Sequence, residues 1–85
     1  MEIKVGSKVR SIAGRDMGGD FIVVGIDGGY VMLADGDARK VDRPKKKKLK
    51  HIQASNSFSV FINEKMALTG KVTNAEVRKA LAELS

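Results

Sequence analysis

Apolar and polar positions change their period near Gln53. Before it, short apolar segments are cut by glycine and aspartate. After it, apolar residues recur every three or four positions. The first regime predicts strands and the second predicts helices. Lys8 to Ala13 is the first expected strand. Val9 and Ile12 stand three apart in it, so a bulge near Arg10 and Ser11 is expected to restore the alternation. Gly14-Arg15-Asp16-Met17-Gly18-Gly19 reads as a loop with glycines where a positive φ is needed. Phe21 to Ile26 is a near-continuous apolar run, the pattern of a strand covered on both faces. Asp27-Gly28-Gly29 predicts a hairpin turn, and Tyr30 to Ala34 the return strand. Asp35-Gly36-Asp37 predicts a second turn of the same kind. Ala38 to Asp42 then predicts a short strand with Val41 inward, ended by Pro44, which has no amide proton for a ladder. Leu49 to Gln53 is the candidate for a last, closing strand. Five short strands with tight turns suit a small, strongly bent sheet or partly open barrel.

The C-terminal third predicts two short helices docked on that sheet. Thr73-Asn74-Ala75-Glu76 has the spacing of a capping box. Val77, Ala80, Leu81 and Leu84 then form one apolar stripe, on a helix too short to stand without docking. Phe58, Phe61, Ile62 and Met66 also recur at helical spacing, with Gly70 placed to end a helix. Phe58-Ser59-Val60 alternates as well, so a strand stays open for residues 54–68. Gln53 to Ser57 reads as a connector. The expected division is a β module over 1–53 and a docked helical appendage over 54–85.

Composition narrows the picture only a little. Eighty-five residues make one small domain with little room for a catalytic one. The chain has no cysteine, which excludes disulfides and thiolate metal sites and fits a reducing compartment. No apolar run approaches the roughly 18 residues of a membrane span. The N-terminus, Met1-Glu2-Ile3-Lys4-Val5, lacks a signal-peptide core, so a cytoplasmic location is expected.

Charge changes it far more. From Arg39 to Lys50 the chain places Arg39, Lys40, Arg43, Lys45, Lys46, Lys47, Lys48 and Lys50 against a single acid, Asp42. The whole chain is only +6, so this stretch carries the entire excess. Such clustering is the mark of a surface that meets a polyanion, and each lysine that neutralises a phosphate releases counterions. Lys45 to Lys48 and Lys50 are the expected backbone clamp. Arg15, Arg39, Lys40 and Arg43 are expected to set orientation, and His51 to touch phosphate or a base. Whether Lys8 and Arg10 share their face stays open. Tyr30 is the one candidate stacking platform, Phe21 is expected in the core, and Phe58 and Phe61 are expected to hold the tail. Few aromatics favour recognition of structured RNA by backbone and shape. The aspartates fall in turns, where they cap their own backbone.

Gly6 to Val24, with a strand, the loop glycines Gly14 and Gly18, and a second apolar strand, resembles a KOW motif. Residues from about Val5 to Gln53 resemble the KOW domains of large-subunit ribosomal proteins of eukaryotic and archaeal type. They are similar also to small stand-alone bacterial KOW proteins. Ala34 to Val41, Pro44 to His51 and Thr73 to Leu81 extend that similarity. One departure is Met17, where many such loops carry lysine, which leaves Arg15 as the loop's only cation. The resemblance implies a five-stranded SH3-like barrel that binds RNA, most often ribosomal RNA, in association with the ribosome.

A monomer with no catalytic residues, no metal, no cofactor, no small-molecule substrate and no membrane partner is expected. No nucleophile and base pair is in evidence, and the glycines match neither a Walker loop nor a dinucleotide fingerprint. The competing reading is a protein-interaction module of the transcription or translation machinery, a role known for KOW domains of NusG-like factors. Its partner surface would be the apolar tail of Phe58, Phe61, Ile62 and Met66.

Overall fold

The computed structural model describes residues 2–84. Five antiparallel strands form one sheet: β1 Ser7–Ser11, β2 Asp20–Asp27, β3 Tyr30–Ala34, β4 Lys45–Lys48 and β5 Ile52–Phe58. Their order is β4-β3-β2-β1-β5. Two helices follow, α1 Val60–Thr69 and α2 Asn74–Glu83.

The apolar run of β2 explains the layering. Phe21 and Val23 point to one face, where they bury with Val9, Val31, Leu33 and Ile52 inside the curled sheet. Ile22 and Val24 point to the other, where they bury with Ile62, Val72, Val77 and Ala80 beneath the helices. A strand covered on both faces is what the unbroken run predicts.

The chain's path forces the curl. Edge strands of a flat five-stranded sheet stand about 19 Å apart at the usual spacing. Here β4 and β5 are those edges, yet only a 3-10 turn, Leu49–His51, joins them. Three residues of 3-10 turn advance about 6 Å, so the two edges must bend toward each other. They do not pair, so the sheet is strongly bent but not closed into a barrel.

Several elements differ from the expectation. The bulge is not at Arg10 and Ser11. Strand β1 pairs regularly with β2 there, and Ile12 lies beyond its end, half-exposed. Register shifts fall instead in the β2–β3 ladder between Val23 and Gly25, and in the β1–β5 ladder between Ser7 and Val9. Ala38 to Asp42 is no strand. Asp35 Oδ1 accepts from the amides of Asp37 (2.9 Å) and Arg39 (2.8 Å), and Asn74 Oδ1 accepts from that of Val41 (2.8 Å). Those amides are therefore spent on side chains and hold residues 35–44 as one loop between β3 and β4. The fourth strand is the lysine run itself. Gln53 to Ser57 is not a connector but most of β5, so the boundary near Gln53 falls inside the sheet and the helical part begins at Val60.

The helices form as the spacing predicts. The Thr73–Glu76 capping box is closed in both directions, at 3.1 Å and 2.8 Å. Ser59 caps α1 by accepting from the Ile62 amide at 3.1 Å, and Gly70 ends it in a left-handed conformation. Ile62 is fully buried, whereas Phe61 is 54% exposed and lies at the edge of a hollow shared with α2. None of the described helices is long and apolar enough to cross a membrane.

Candidate nucleic-acid interface

A strand of four lysines must point them alternately to its two faces. Lys45 and Lys47 pair with Leu33 and Val31, and so share the inner face. Lys46 and Lys48 pair with Met32 and Tyr30 on the outer face. The run is therefore two pairs of cations with different surroundings, not one continuous clamp.

Lys47 is the exception to a solvated basic run. Its side chain is only 6% exposed. Its ammonium donates to the Ser11 hydroxyl (2.9 Å) and the Ala13 carbonyl (2.6 Å), and pairs closely with Asp16 Oδ1. All three donor directions of an ammonium are thus taken by protein. Lys47 is withdrawn from the expected phosphate contacts, because a phosphate would have to break this buried pair. Ser11 and Asp16 are the partners that sequence reasoning missed. The Asp16 carboxylate is bound by its own backbone, as expected of a turn aspartate, and also by the Lys47 and Ser11 side chains. Once Lys45–Lys48 is a strand beside β3, alternation turns one lysine pair inward, and the one of them that is buried, Lys47, requires an acid.

The loop holding Asp16 is compact. The Gly18 amide donates to the Ser11 carbonyl (2.8 Å), the Ser11 amide to the Gly19 carbonyl (3.0 Å) and the Gly19 amide to the Asp16 carbonyl (3.0 Å). Gly14 has φ 84°, and a Cβ there would lie 3.3 Å from Lys47 Nζ. Arg15 is therefore carried, exposed, on a loop fixed at its base.

Around this pair lies an open concavity of about 570 Å³. Arg15 reaches it from the β1–β2 loop, Arg39 from the β3–β4 loop, Lys45 from β4 and His51 from the 3-10 turn. Bonds to Asp35 fix the Arg39 backbone, and the His51 carbonyl accepts from the Ile12 amide at 3.0 Å. With the paired Lys47, five expected site residues thus converge from four segments of the chain. The others are dispersed. Lys40 and Arg43 are exposed on the β3–β4 loop, and Lys40 Nζ donates to the Asp37 carbonyl at 2.9 Å. Lys48 and Lys50 are exposed on β4 and the 3-10 turn. Lys46 lies 3.6 Å from Asp27 and 4.7 Å from the centre of the Tyr30 ring, so a cation already occupies that ring's face. Lys8 and Arg10 line a separate hollow beside β5 and are matched by Asp20, at 4.0 Å and 3.0 Å. They do not extend the basic concavity.

Three carboxyls are held below their ordinary range. Burial pushes Asp16 up, but hydrogen bonds from Lys47 and Ser11 and the charge of Lys47 outweigh it. The hydrogen bond from Arg10 lowers Asp20, and that from Lys65 lowers Glu76. A carboxyl lowered by folding adds stability above its unfolded value, about 3.9 for Asp and 4.3 for Glu. That stability is lost as pH falls through the folded value. Urea midpoints should therefore hold steady from neutrality to about pH 5 and fall below about pH 4. Equal midpoints at pH 3 and pH 7 would show these carboxyls to be unshifted.

No protein-family model matches the sequence, and no curated protein does either.

Proposed function

We propose that the protein binds structured RNA through phosphate contacts at the concavity formed by Arg15, Arg39, Lys45 and His51. The observation that carries this reading is convergence: two arginines, a lysine and a histidine from four separate segments line one hollow. Exposed Lys40, Arg43 and Lys50 lie on the same loop and turn and supply further positive field. The hollow is open rather than enclosed, which suits a backbone passing across it, and contacts of this kind position a nucleic acid without reading its sequence. A strongly bent five-stranded sheet with its edges brought together agrees with the SH3-like architecture that the KOW resemblance implies. On that resemblance, ribosomal RNA is the preferred target and the ribosome the expected assembly. Cations spaced along an open surface favour binding over turnover as the role of this hollow.

The test is the combined Arg15→Gln, Arg39→Gln and Lys45→Gln variant, with Lys79→Gln on exposed α2 as control. Binding of a fluorescent RNA hairpin would be followed across a salt series. Removing one phosphate-binding cation lowers the salt slope by about 0.7–0.9, so the triple variant should drop by about 2–3 in slope and lose most of its affinity. An unchanged slope, or an equal loss in the Lys79 control, would rule the concavity out.

A second reading has one observation in its favour. Val60, Phe61 and Leu68 on α1 are 56%, 54% and 85% exposed, an apolar surface crossed only by the Lys65 ammonium 5.8 Å from the Phe61 ring centre. That supports a protein-docking role for the helical part. Of the residues expected there Phe61 is exposed, whereas Ile62 is buried in the core and Met66 packs against it.

A further inference from the structure

The buried Lys47–Asp16 pair is a costly device for a small protein. Taking both charges out of water is rarely repaid in stability by their attraction. An apolar pair would fill the space between β4 and the β1–β2 loop at lower cost. The pair also sits next to the hollow, not in either apolar core: Asp16 and Lys47 both line it. It joins the edge strand β4 to the loop that carries Arg15, the residue directly before Asp16. The Ser11 hydroxyl completes the junction, lying 3.0 Å from Asp16 Oδ1 and 2.9 Å from Lys47 Nζ. Side chains from β1, the β1–β2 loop and β4 thus fix one loop at one edge.

We propose that Asp16 is a positioning residue for nucleic-acid binding: held by Lys47 and Ser11, it fixes the β1–β2 loop so that Arg15 faces the same phosphates as Arg39 and Lys45. The inference rests on the RNA reading above and adds that an acid, beside a polyanion site, promotes binding. Simple electrostatics gives the opposite sign, because an acid near phosphates repels them. Without the tie only the backbone bonds at its base hold the loop, and the Arg15 end must be ordered at the expense of binding.

The sign makes the test sharp. Wild type, Arg15→Gln, Asp16→Asn and the double variant would be titrated with a fluorescent RNA hairpin, with thermal melts on each. Asp16→Asn removes a negative charge yet is expected to weaken binding about five- to tenfold. Arg15→Gln should then cost less than about twofold in the Asp16→Asn background, against a clear loss in wild type, as coupled neighbours behave. Amide exchange at Gly18 and Gly19 should speed up in Asp16→Asn. Tighter binding by Asp16→Asn, or equal Arg15→Gln losses in both backgrounds, overturns the proposal while the RNA reading stands. If wild type shows no salt-dependent RNA binding, the reading and the proposal fall together. Should Asp16→Asn not fold, Ser11→Ala makes the same comparison with both charges kept. It is expected to weaken binding and to reduce the Arg15→Gln loss, and an unaltered Arg15→Gln loss counts against the proposal.

Discussion

Replacing Lys47 by methionine should destabilise the protein by about 3–5 kcal/mol, the usual cost of breaking a buried ion pair from one side. The neighbouring Lys48→Met should change stability by less than about 0.5 kcal/mol, as exposed substitutions do. The contrast follows from exposure and partners. The Lys47 side chain is 6% exposed and Asp16 14%, so its removal strands a carboxylate with little access to water. Lys48 is exposed and points to the opposite face. Adding Asp16→Asn to Lys47→Met should recover part of the loss, because no uncompensated charge then remains. Urea unfolding of the single and double variants measures all of this. Similar midpoints for Lys47→Met and Lys48→Met would mean that the lysine run is uniform and solvated after all.

Gly36→Ala should be the second large effect, about 2–4 kcal/mol. Gly36 has φ 78°, a conformation that costs an L-residue about 1–2 kcal/mol. Space is the larger obstacle. A Cβ there would stand 2.4 Å from the Asn74 carbonyl oxygen and 2.9 Å from Arg78 Cγ. The first of these is helix backbone at the start of α2 and cannot step aside. The same contact is where α2 meets the β3–β4 loop: Arg78 Nη1 donates to the Gly36 carbonyl at 2.6 Å, and Asn74 accepts from Val41. The variant should therefore loosen α2 and Arg39 together. Gly28→Ala is the control, with φ 60° but nothing within 4 Å of an added Cβ, so it carries the conformational cost alone. Thermal melts that place Gly36→Ala and Gly28→Ala together would show that the close approach is not maintained in solution.

Most of the secondary structure was legible because local physics determines it. The near-continuous apolar run of β2, of strand length and rich in β-branched residues, reads as a strand with two covered faces. Asp27-Gly28-Gly29 could only be a tight turn, and Thr73 to Glu76 could only start a helix. The misreadings share a cause. Ala38 to Asp42 has strand-like residues, but its Val41 amide is taken by Asn74, more than thirty positions away. Gln53 to Ser57 is polar, which suits a linker, yet it forms an edge strand with one free side. The lysine run has no intrinsic claim to be a strand, and it becomes one by pairing with Tyr30 to Leu33.

The candidate site divides in the same way. The excess of positive charge between Arg39 and Lys50 is a property of the chain and needs no fold to be read. Which of those cations face one hollow does not follow from it. The strand's two-residue period sends Lys45 and Lys47 inward, and the curl of the sheet brings Arg15, Arg39 and His51 to meet them. Lys47 alone among the lysine run has its charge taken up inside the protein. A sequence sets the number of charges, because composition is local. Only the tertiary structure decides which of them keep access to water, because burial and pairing depend on residues far apart in the chain.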